Sequence, residues 1–466
     1  MRDIRGSPMT ADALSGRLPD VLAPVLGPVT IEGLHRLTGG ASRATWAFDA
    51  VTGAGRRALI LRTGPPDDIH ANMETEARAQ AAASAAGAPV PGILVADNST
   101  ASLGNPFLIC EAIPGETVVR RVFRVLDSAD EHARDRLLVQ CAQALAAVHR
   151  ADPSGIGVTD EDPLSACRDQ LDSMGDTTAT FEWAFRWLAD HRPPGTPARL
   201  VHGDFRMGNL IVDGSDLAAV LDWELVHLGD VCEDLAWFCI RAWRFGAPAE
   251  RAAGGLGSIE SFLTAYQQAG GAAVDPARLH WWRVLATLRW GVICRWQAER
   301  HLSGQTRSVE LATIGRRVAE TEWDLLDLLG APPGDIGAAP EQVGQATSRP
   351  TADYGRPTAA ELVAAVAEFL DAAFLNRDGR GATDGQIAFH ARVAANALRI
   401  VERELLDTSA GASAGALTRL GFADEATLAA AIRSGELDPN PVGVAATLRT
   451  LVRRRLAVAH PGYDGG

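Results

Sequence analysis

The chain has 466 residues, 47% of them hydrophobic and 22% charged, which is typical of globular proteins and excludes a disordered or fibrous one. This length exceeds a single hydrophobic core, so we expect about two or three domains. The formal net charge of -14 disfavours nucleic acid or an anionic membrane surface as the main partner.

All 44 residues counted as lysine or arginine are arginine, because the sequence contains no lysine. A P-loop requires a lysine, and Schiff-base chemistry requires an amine that can lose its proton, so both enzyme classes are excluded. No segment has the roughly 20 unbroken apolar residues of a membrane-spanning helix, and the start lacks the apolar core of a signal peptide. We therefore expect a cytoplasmic protein, and we expect its six scattered cysteines to be reduced.

The first part of the chain predicts a small sheet with one helix. Residues 29–62 alternate apolar and polar side chains between glycine turns, which indicates strands. The stretch NMETEARAQAAASAAG has helical composition and ends at Gly87, a typical stop residue. Extended structure resumes in GILVADN and PFLICEAIPGE. From Asp130 the chain reads as mostly helical, interrupted by a hairpin around residue 210.

Helical periodicity continues to the end of the chain with one interruption. Apolar residues recur at helical spacing between residues 257 and 329. Residues 331–354 are rich in Pro, Gly, Ala and Gln without periodicity, as in a linker. Three amphipathic segments between residues 356 and 462 then predict a separate all-helical module.

The segment LVHGDFRMGNLIVDGSDLAAVLDWE, residues 200–224, places charge beside two short apolar strands. His202, Asp204 and Asn209 have the spacing of the kinase catalytic loop. The strands flank DGSD, a turn sequence, and folding them back about this turn brings Asn209 near Asp222.

This pattern suits phosphoryl transfer, which needs a carboxylate to accept the proton of the attacking hydroxyl and oxygen ligands for Mg²⁺ on the nucleotide phosphates. Asp204 is the candidate base, and Asn209 and Asp222 are the candidate Mg²⁺ ligands. The alternative is that His202 and Asp204 cap the hairpin and Asp222 merely ends a strand.

Upstream residues fit a nucleotide site. In LTGGASRATWAF, backbone N–H groups of a turn formed by Gly39, Gly40 and Ser42 would approach phosphate. The strand RALILR presents Arg62 and the next helix presents Glu76, in the order in which kinases place a phosphate-binding cation and its carboxylate partner.

Two alternatives stay open for this pair, because Arg62 could be a surface arginine at a strand end and Glu74 competes with Glu76. The stretch FLICEAIPGE would form the hinge, where main-chain groups from Glu111 to Ile113 meet the adenine edge.

Two further patterns have ordinary explanations. Trp281, Trp282, Trp290 and Trp296 could line a pocket for an acyl or ring-bearing substrate, although tryptophans at helical spacing are more often core. GASAG, from Gly411 to Gly415, matches the nucleophile elbow of serine hydrolases. It follows no predicted strand, which the elbow requires, so we interpret it as a chance match in an Ala-Gly-rich loop.

The motifs GGAS, LILRTGPP, TEAR, LVHGDFRMGNLIV, VLDWELVHLGD and EDLAW occur in this order between residues 28 and 330. Together they resemble the aminoglycoside phosphotransferase family, and more closely its branch of kinase-like domains attached to some acyl-CoA dehydrogenases. The resemblance implies an α+β, protein-kinase-like fold with two lobes: a small antiparallel sheet plus helix, then a helical lobe with the catalytic hairpin. The C-terminal module resembles a bacterial domain of unknown function and would be all-α.

The resemblance implies Asp204 as catalytic base, His202 as the residue orienting its loop, Asn209 and Asp222 as Mg²⁺ ligands, Arg62 with Glu76 at the phosphates, and Asp230 and Asp234 as structural acids near the site. Val231 stands where the family motif has proline. The implied domains are an N-terminal extension (1–27), a nucleotide-binding lobe (28–115), a catalytic and acceptor-binding lobe (116–330), a linker (331–355) and a helical C-terminal domain (356–466).

We therefore expect an ATP- or GTP-dependent, Mg²⁺-dependent kinase that phosphorylates a hydroxyl group of a small molecule. The acceptor would be aminoglycoside-like or a hydroxyacyl compound, with the latter slightly favoured because residues 240–330 hold no dense acidic cluster for a polycation. The alternative is a nucleotide-binding regulatory protein without turnover. The partner of the C-terminal domain is unknown.

Overall fold

The computed structural model describes residues 10–37, 43–65, 70–331, 354–370, 384–437 and 442–465. The chain divides into two units: residues 1–161 with 195–275, and residues 162–194 with 276–466. The second unit thus contains a segment that lies, in sequence, in the middle of the first.

The first unit begins with a helix and an antiparallel sheet. Helix α1 (Ala11–Leu26) is followed by strands β1 (Val29–Arg36), β2 (Ala44–Thr52), β3 (Gly55–Thr63), β4 (Ile93–Asp97) and β5 (Phe107–Glu111). The sheet order is β1-β2-β3-β5-β4. Buried leucines of α1 pack on one sheet face against Trp46, Phe48, Leu59 and Leu61.

Helix α2 (Met73–Ala85) lies between β3 and β4 in sequence and packs on the other face of the sheet. The Asn72 side chain accepts a hydrogen bond from the Thr75 N–H at 2.9 Å and so fixes the start of the helix. Because side chains alternate along a strand, Ile60 and Arg62 share the face that carries α2. This alternation directs Arg62 towards the first turn of α2.

The rest of the first unit is mostly helical and carries two short strand pairs. Its elements are α3 (Val119–Ala129), α4 (Ala133–Arg150), β6 (Arg199–Val201), β7 (Leu210–Asp213), β8 (Asp216–Val220), β9 (His227–Gly229), α7 (Cys232–Phe238) and α8 (Ile259–Gln268). Strand β6 pairs with β9, and β7 pairs with β8, both antiparallel. The predicted α+β class, the antiparallel sheet and the hairpin around residue 210 are confirmed.

Every regular element described in the second unit is helical. It contains α5 (Pro163–Ser173), α6 (Ala179–Asp190), α9 (Pro276–Leu302), α10 (Val309–Ile314), α11 (Val318–Leu328), α12 (Ala359–Leu370), α13 (Asp384–Leu406), α14 (Ala410–Arg419), α15 (Glu425–Ser434) and α16 (Val442–Ala459). One core joins Trp183 of α6 and Trp323 of α11 to Ile432 of α15 and Leu448 of α16. The C-terminal helices therefore share a core with helices that precede the predicted linker, most of which lies outside the described residues.

The GASAG segment corrects one expectation. It lies within helix α14 and not in a loop, and Ser413 is buried. The glycines lower helix propensity, but packing of Ala416 and Leu417 in the core overrides it. A serine inside a helix lacks the strand-to-helix turn of a nucleophile elbow.

The tryptophans of α9 divide between buried and half-buried positions. Trp281 and Trp282 are buried, and the Trp281 indole N–H donates to the Leu188 carbonyl at 2.9 Å. Trp290 and Trp296 are half-buried. Among the described residues, no helix has the length and apolarity needed to cross a membrane.

Candidate active site

The Asp204 carboxylate lies in the loop between β6 and β7 and is held from three sides. The Trp237 indole N–H donates to Oδ1 at 2.7 Å, Arg206 Nε lies 2.9 Å from the same oxygen, and Asn209 Nδ2 donates to Oδ2 at 2.7 Å. The side chain remains 16% exposed. The carboxylate is thus fixed in orientation and still reachable from solvent.

Asp234 of α7 is fully buried and forms hydrogen bonds with the backbone of the loop that carries Asp204. The backbone N–H groups of His202 and Gly203 donate to its two carboxylate oxygens at 2.7 and 2.9 Å. The His149 ring lies 3.2 Å away and also contacts the Tyr266 hydroxyl at 2.7 Å. Burial raises the pKa of Asp234, but hydrogen bonding and charge from His149 and His202 outweigh it, so the pKa is lowered.

His202 is buried and cannot touch a substrate. Its Nε2 contacts the Leu221 carbonyl at 2.9 Å, which ties the loop to the far strand of the hairpin. The next residue, Gly203, has a φ of +82°, and a Cβ there would lie 2.4 Å from the Leu225 carbonyl oxygen. The contacts of both residues fix the loop to the hairpin and to the chain at Leu225.

The hairpin brings Asn209 next to the residue that precedes Asp222. Leu210 pairs with Val220, and the Leu221 N–H donates to the Asn209 carbonyl at 2.8 Å. The predicted proximity of Asn209 and Asp222 is confirmed. Asp222 has a φ of 66°, a left-handed conformation uncommon outside glycine, which marks a sharp turn of the chain there.

Arg62 meets three carboxylates beside this hairpin. Its Nη1 lies 3.1 Å from Glu76, and its Nη2 lies 2.6 Å from Asp222 and 3.7 Å from Glu224. Burial opposes the charge of Arg62, but the three carboxylates raise its pKa. Glu74 is instead near the surface and pairs with Arg78 at 3.7 Å, so Glu76 is the partner of Arg62.

Arg43, one residue before β2, is a site residue that was not predicted from the sequence. It forms an ion pair with Glu76, donates to the Ala71 carbonyl at 2.7 Å and lies 3.9 Å from Glu224. Glu76 is fully buried, and this burial raises its pKa although Arg62 and Arg43 lower it. The signal in the sequence was an arginine directly after the GGAS motif.

Glu224, which had no predicted role, joins the two arginines to the start of α2. Its carbonyl accepts the Ala71 N–H at 2.7 Å, and its carboxylate lies 3.7 Å from the His70 ring. The chain after β8 is therefore tied directly to the residues that precede α2.

The remaining predicted residues fall outside this cluster. Gly39, Gly40 and Ser42 lie outside the described residues. Glu111 ends β5, where its N–H donates to the Gly92 carbonyl and its carboxylate pairs with Arg57 at 2.7 Å, and Ile113 follows the strand.

Asp230 is placed at the start of α7. Its carboxylate accepts the Cys232 N–H and the Thr196 hydroxyl, each at 2.9 Å. This arrangement fixes the first turn of the helix that carries Asp234, so Asp230 acts on the loop indirectly.

The donors near Asp204 fit a divalent cation shared with a nucleotide. The Asn209 Nδ2 donates to both the carbonyl and the carboxylate of Asp204, which leaves its Oδ1 as an oxygen ligand. With Asp222 this gives two hard oxygen donors, and Mg²⁺ commonly takes its other ligands from phosphates and water. Within the described ranges no group of three or more His, Cys, Asp or Glu residues is arranged to hold a metal.

The loop at Asp204, the hairpin after it and the half-buried pair Arg43 and Arg62 occur in a chain of protein-kinase-like fold. The chain belongs to the phosphotransferase enzyme family, whose sequence model matches residues 33–282. Residues 381–463 match a domain of unknown function.

Among proteins of known sequence, the chain is 26% identical over 298 residues to acyl-CoA dehydrogenase family member 10 of Mus musculus, covering 58% of this chain and 27% of that one. It is 30% identical over 200 residues to family member 11 of Gallus gallus, covering 39% and 25%. The chain thus spans about a quarter of these relatives' length.

A crystal structure of a Ralstonia eutropha protein assigned to the aminoglycoside phosphotransferases superposes with a TM-score of 0.54 at 20% identity. The match covers 69% of this chain and 98% of that one. This similarity supports the kinase-like fold.

Proposed function

We propose that the protein is an ATP- or GTP-dependent and Mg²⁺-dependent kinase that transfers a phosphoryl group to a hydroxyl of a small molecule. The observation that carries this proposal is the convergence of Asp204, Asn209 and Asp222 at the open end of one hairpin, beside the Arg62–Glu76 pair. A nucleotide-binding protein without turnover would not need a fixed carboxylate at the position of Asp204.

In this proposal Asp204 aligns the acceptor hydroxyl and takes its proton as the bond from the hydroxyl oxygen to the γ-phosphorus forms. The bond from that phosphorus to the β–γ bridging oxygen breaks, and the nucleoside diphosphate leaves. The three donors on its carboxylate hold it in one orientation, so little reorganisation accompanies the reaction. Arg62 would exchange its ion pair with Asp222 for the nucleotide phosphates and would keep its ion pair with Glu76. Asn209 and Asp222 would hold Mg²⁺, which when bound neutralises charge on the phosphate oxygens.

For the acceptor, we favour a hydroxyacyl compound, free or linked to coenzyme A, over an aminoglycoside-like sugar. The relatives named as acyl-CoA dehydrogenase family members support this choice, since a kinase joined to such an enzyme would act on related molecules. Residues 240–330 contain nine acidic residues, and the three that lie closest together, Glu320, Glu322 and Asp324, are buried and therefore unsuited to a polycation.

The test is nucleotide consumption with Mg²⁺ and a library of hydroxyl compounds, comparing the wild type with Asp204→Ala. We expect acceptor-dependent turnover that falls by about a hundredfold or more in the variant, because the proton acceptor and its positioning are both lost. Equal turnover of the two proteins with every acceptor would refute the kinase. If nucleotide still raised the melting temperature, a binding protein would be the remaining function.

A further inference from the structure

Helix α12 is apolar on its outer face as well as on its inner face. On the inner face, Leu362, Ala365 and Val366 are buried in a core with residues of α10 and α13. The exposed residues of the helix form the outer face, and none of them is polar: Ala360, Val363, Ala364, Ala367 and Leu370. A surface helix normally carries polar side chains towards solvent, whereas a helix that is apolar all round is normally buried. We call these five residues the α12 face.

The larger side chains of the α12 face are well exposed, Val363 to 45% and Leu370 to 46%. The neighbouring helix α13 also exposes large apolar side chains, but Arg392, Arg399 and Glu402 lie among them and suit a solvated surface. Contiguous apolar patches without charge commonly mark sites of protein association. The α12 face is therefore a better candidate for a docking surface than the exposed side of α13.

The acidic residues of α12 lie at the edge of this face and are paired within the chain. The Thr358 N–H donates to the Glu361 carboxylate at 2.6 Å, and Arg356 Nε donates to the same carboxylate at 3.0 Å. Glu368 lies 3.2 Å from Arg307. Two carboxylates and two guanidinium groups thus balance along the edge. A second copy of this acidic chain could approach there without net repulsion.

The spacing of large and small side chains on the α12 face fits a second copy of the same helix. Small and large residues alternate at the spacing of the a and d positions of a coiled coil: Ala360, Val363, Ala367 and Leu370. In an antiparallel pair with its two-fold axis level with Ala365, Leu370 of one copy would face Ala360 of the other. In the same register, Val363 would face Ala367. A single register thus places each large side chain against a small one.

We infer that the α12 face is a homodimer interface, in which the α12 helices of two copies of this chain pack antiparallel. A two-fold dimer requires a surface that is complementary to itself, and the α12 face meets this requirement. The inference concerns assembly and is independent of the proposed phosphoryl transfer. One short helix from each copy makes a smaller contact than a standard interface. We therefore expect a weak dimer, with a dissociation constant on the order of 10 µM.

The test is sedimentation equilibrium of the full-length protein between about 1 and 200 µM. We expect the mass to rise with concentration from that of the 49.3 kDa monomer towards twice that value. Ala367→Glu should raise the dissociation constant by about thirtyfold or more, because it buries two unpaired carboxylates in the dimer. Ala430→Glu makes the same change at an exposed position of α15 and should leave the dissociation constant unchanged.

Thermal denaturation of both variants checks that each one is folded. A wild type that stays monomeric over the whole range would overturn the inference. A folded Ala367→Glu variant that dimerises as tightly as Ala430→Glu would overturn it as well.

Cross-linking tests the register of the helix pair. All six native cysteines are buried, so a cysteine introduced on the α12 face would react selectively. In the antiparallel register, the two copies of residue 364 lie about 3 Å apart along the helix axis, and the two copies of residue 360 about 15 Å apart. We expect a short bis-maleimide to link Ala364→Cys into a dimer and to leave Ala360→Cys unlinked. Equal linking of the two variants, or linking of neither, would contradict the antiparallel α12 pair.

Discussion

At the scale of single residues, the site contains a fully buried carboxylate, Glu76, between two guanidinium groups. A buried charge of this kind needs paired charges to offset its loss of hydration. Under the proposed function Arg62 would turn to the nucleotide phosphates. Among the described residues, Arg43 contacts Glu76, Glu224, the Ala71 carbonyl and the Met73 sulfur. Arg43 would therefore keep the charge of Glu76 compensated while Arg62 is engaged at the phosphates.

We predict that Arg43→Gln lowers the free energy of unfolding by about 2 kcal/mol. This is less than the roughly 3–5 kcal/mol for complete loss of a buried ion pair, because Arg62 remains. Urea denaturation measures the difference. The exposed Arg56→Gln is the matched control and should change stability much less than Arg43→Gln, because solvent screens its ion pairs. A loss for Arg43→Gln no larger than the control would show that Glu76 does not depend on Arg43.

The proximity of the candidate catalytic residues could be predicted from the sequence, and the contact of Arg43 with Glu76 could not, for a physical reason. Asp204 and Asn209 precede the β7–β8 hairpin and Asp222 follows it, so a turn sequence and strand pairing suffice to bring the three residues together at its open end. Arg43 meets Glu76 across 33 residues, through the packing of α2 on the sheet. No local periodicity encodes that contact.

At the scale of secondary structure elements, the loop after β6 is fixed by backbone contacts that only glycine permits. Gly203 combines a φ of +82° with close approach to the Leu225 carbonyl. Gly214, in the turn between β7 and β8, has a φ of +61°, and a Cβ added there would meet no other atom within 4 Å. Both glycines thus have a left-handed backbone conformation, but only at Gly203 would an added Cβ collide with neighbouring atoms.

We predict that Gly203→Ala is more destabilising than Gly214→Ala, which should cost only about 1 kcal/mol from its left-handed backbone. At Gly203 the added methyl also overlaps the Leu225 oxygen, so we expect about 3 kcal/mol or more and loss of phosphoryl transfer. Thermal denaturation and turnover assays measure both. Similar losses for the two variants would mean that the loop can move away from Leu225.

Helix α14 forms although its local sequence disfavours a helix. Its AGASAGALTR sequence has poor helix propensity, and the helix forms because Ala416 and Leu417 are buried. Likewise, chain order alone gave no sign that α5 and α6 belong with the helices after residue 276. Both facts depend on tertiary packing.

At the scale of the whole molecule, the C-terminal helices complete a core that begins before residue 200. Trp183 and Trp323 pack with Leu428, Ile432 and Leu448. The fully buried Glu322 is paired with Arg455 of α16 at 2.7 Å. Removing the C-terminal helices would expose this apolar surface and leave the Glu322 charge buried without Arg455.

We therefore predict that a chain ending at Ala331 is poorly soluble and melts well below the full-length protein. Soluble yield and thermal denaturation measure this, with Arg392→Gln in the full-length chain as a surface control. A truncated chain with the full melting temperature would show that the C-terminal helices fold as an independent module.

The arginine at position 62 also decides which chemical tools can detect this protein. Kinases are often profiled with nucleotide acyl phosphates that transfer their label to a lysine amine beside the phosphates. Under the proposed function the side chain at that position would be the Arg62 guanidinium, and the chain has no lysine anywhere. Amine-directed labelling would overlook this site even when nucleotide fills it, whereas reagents selective for guanidinium groups would reach it.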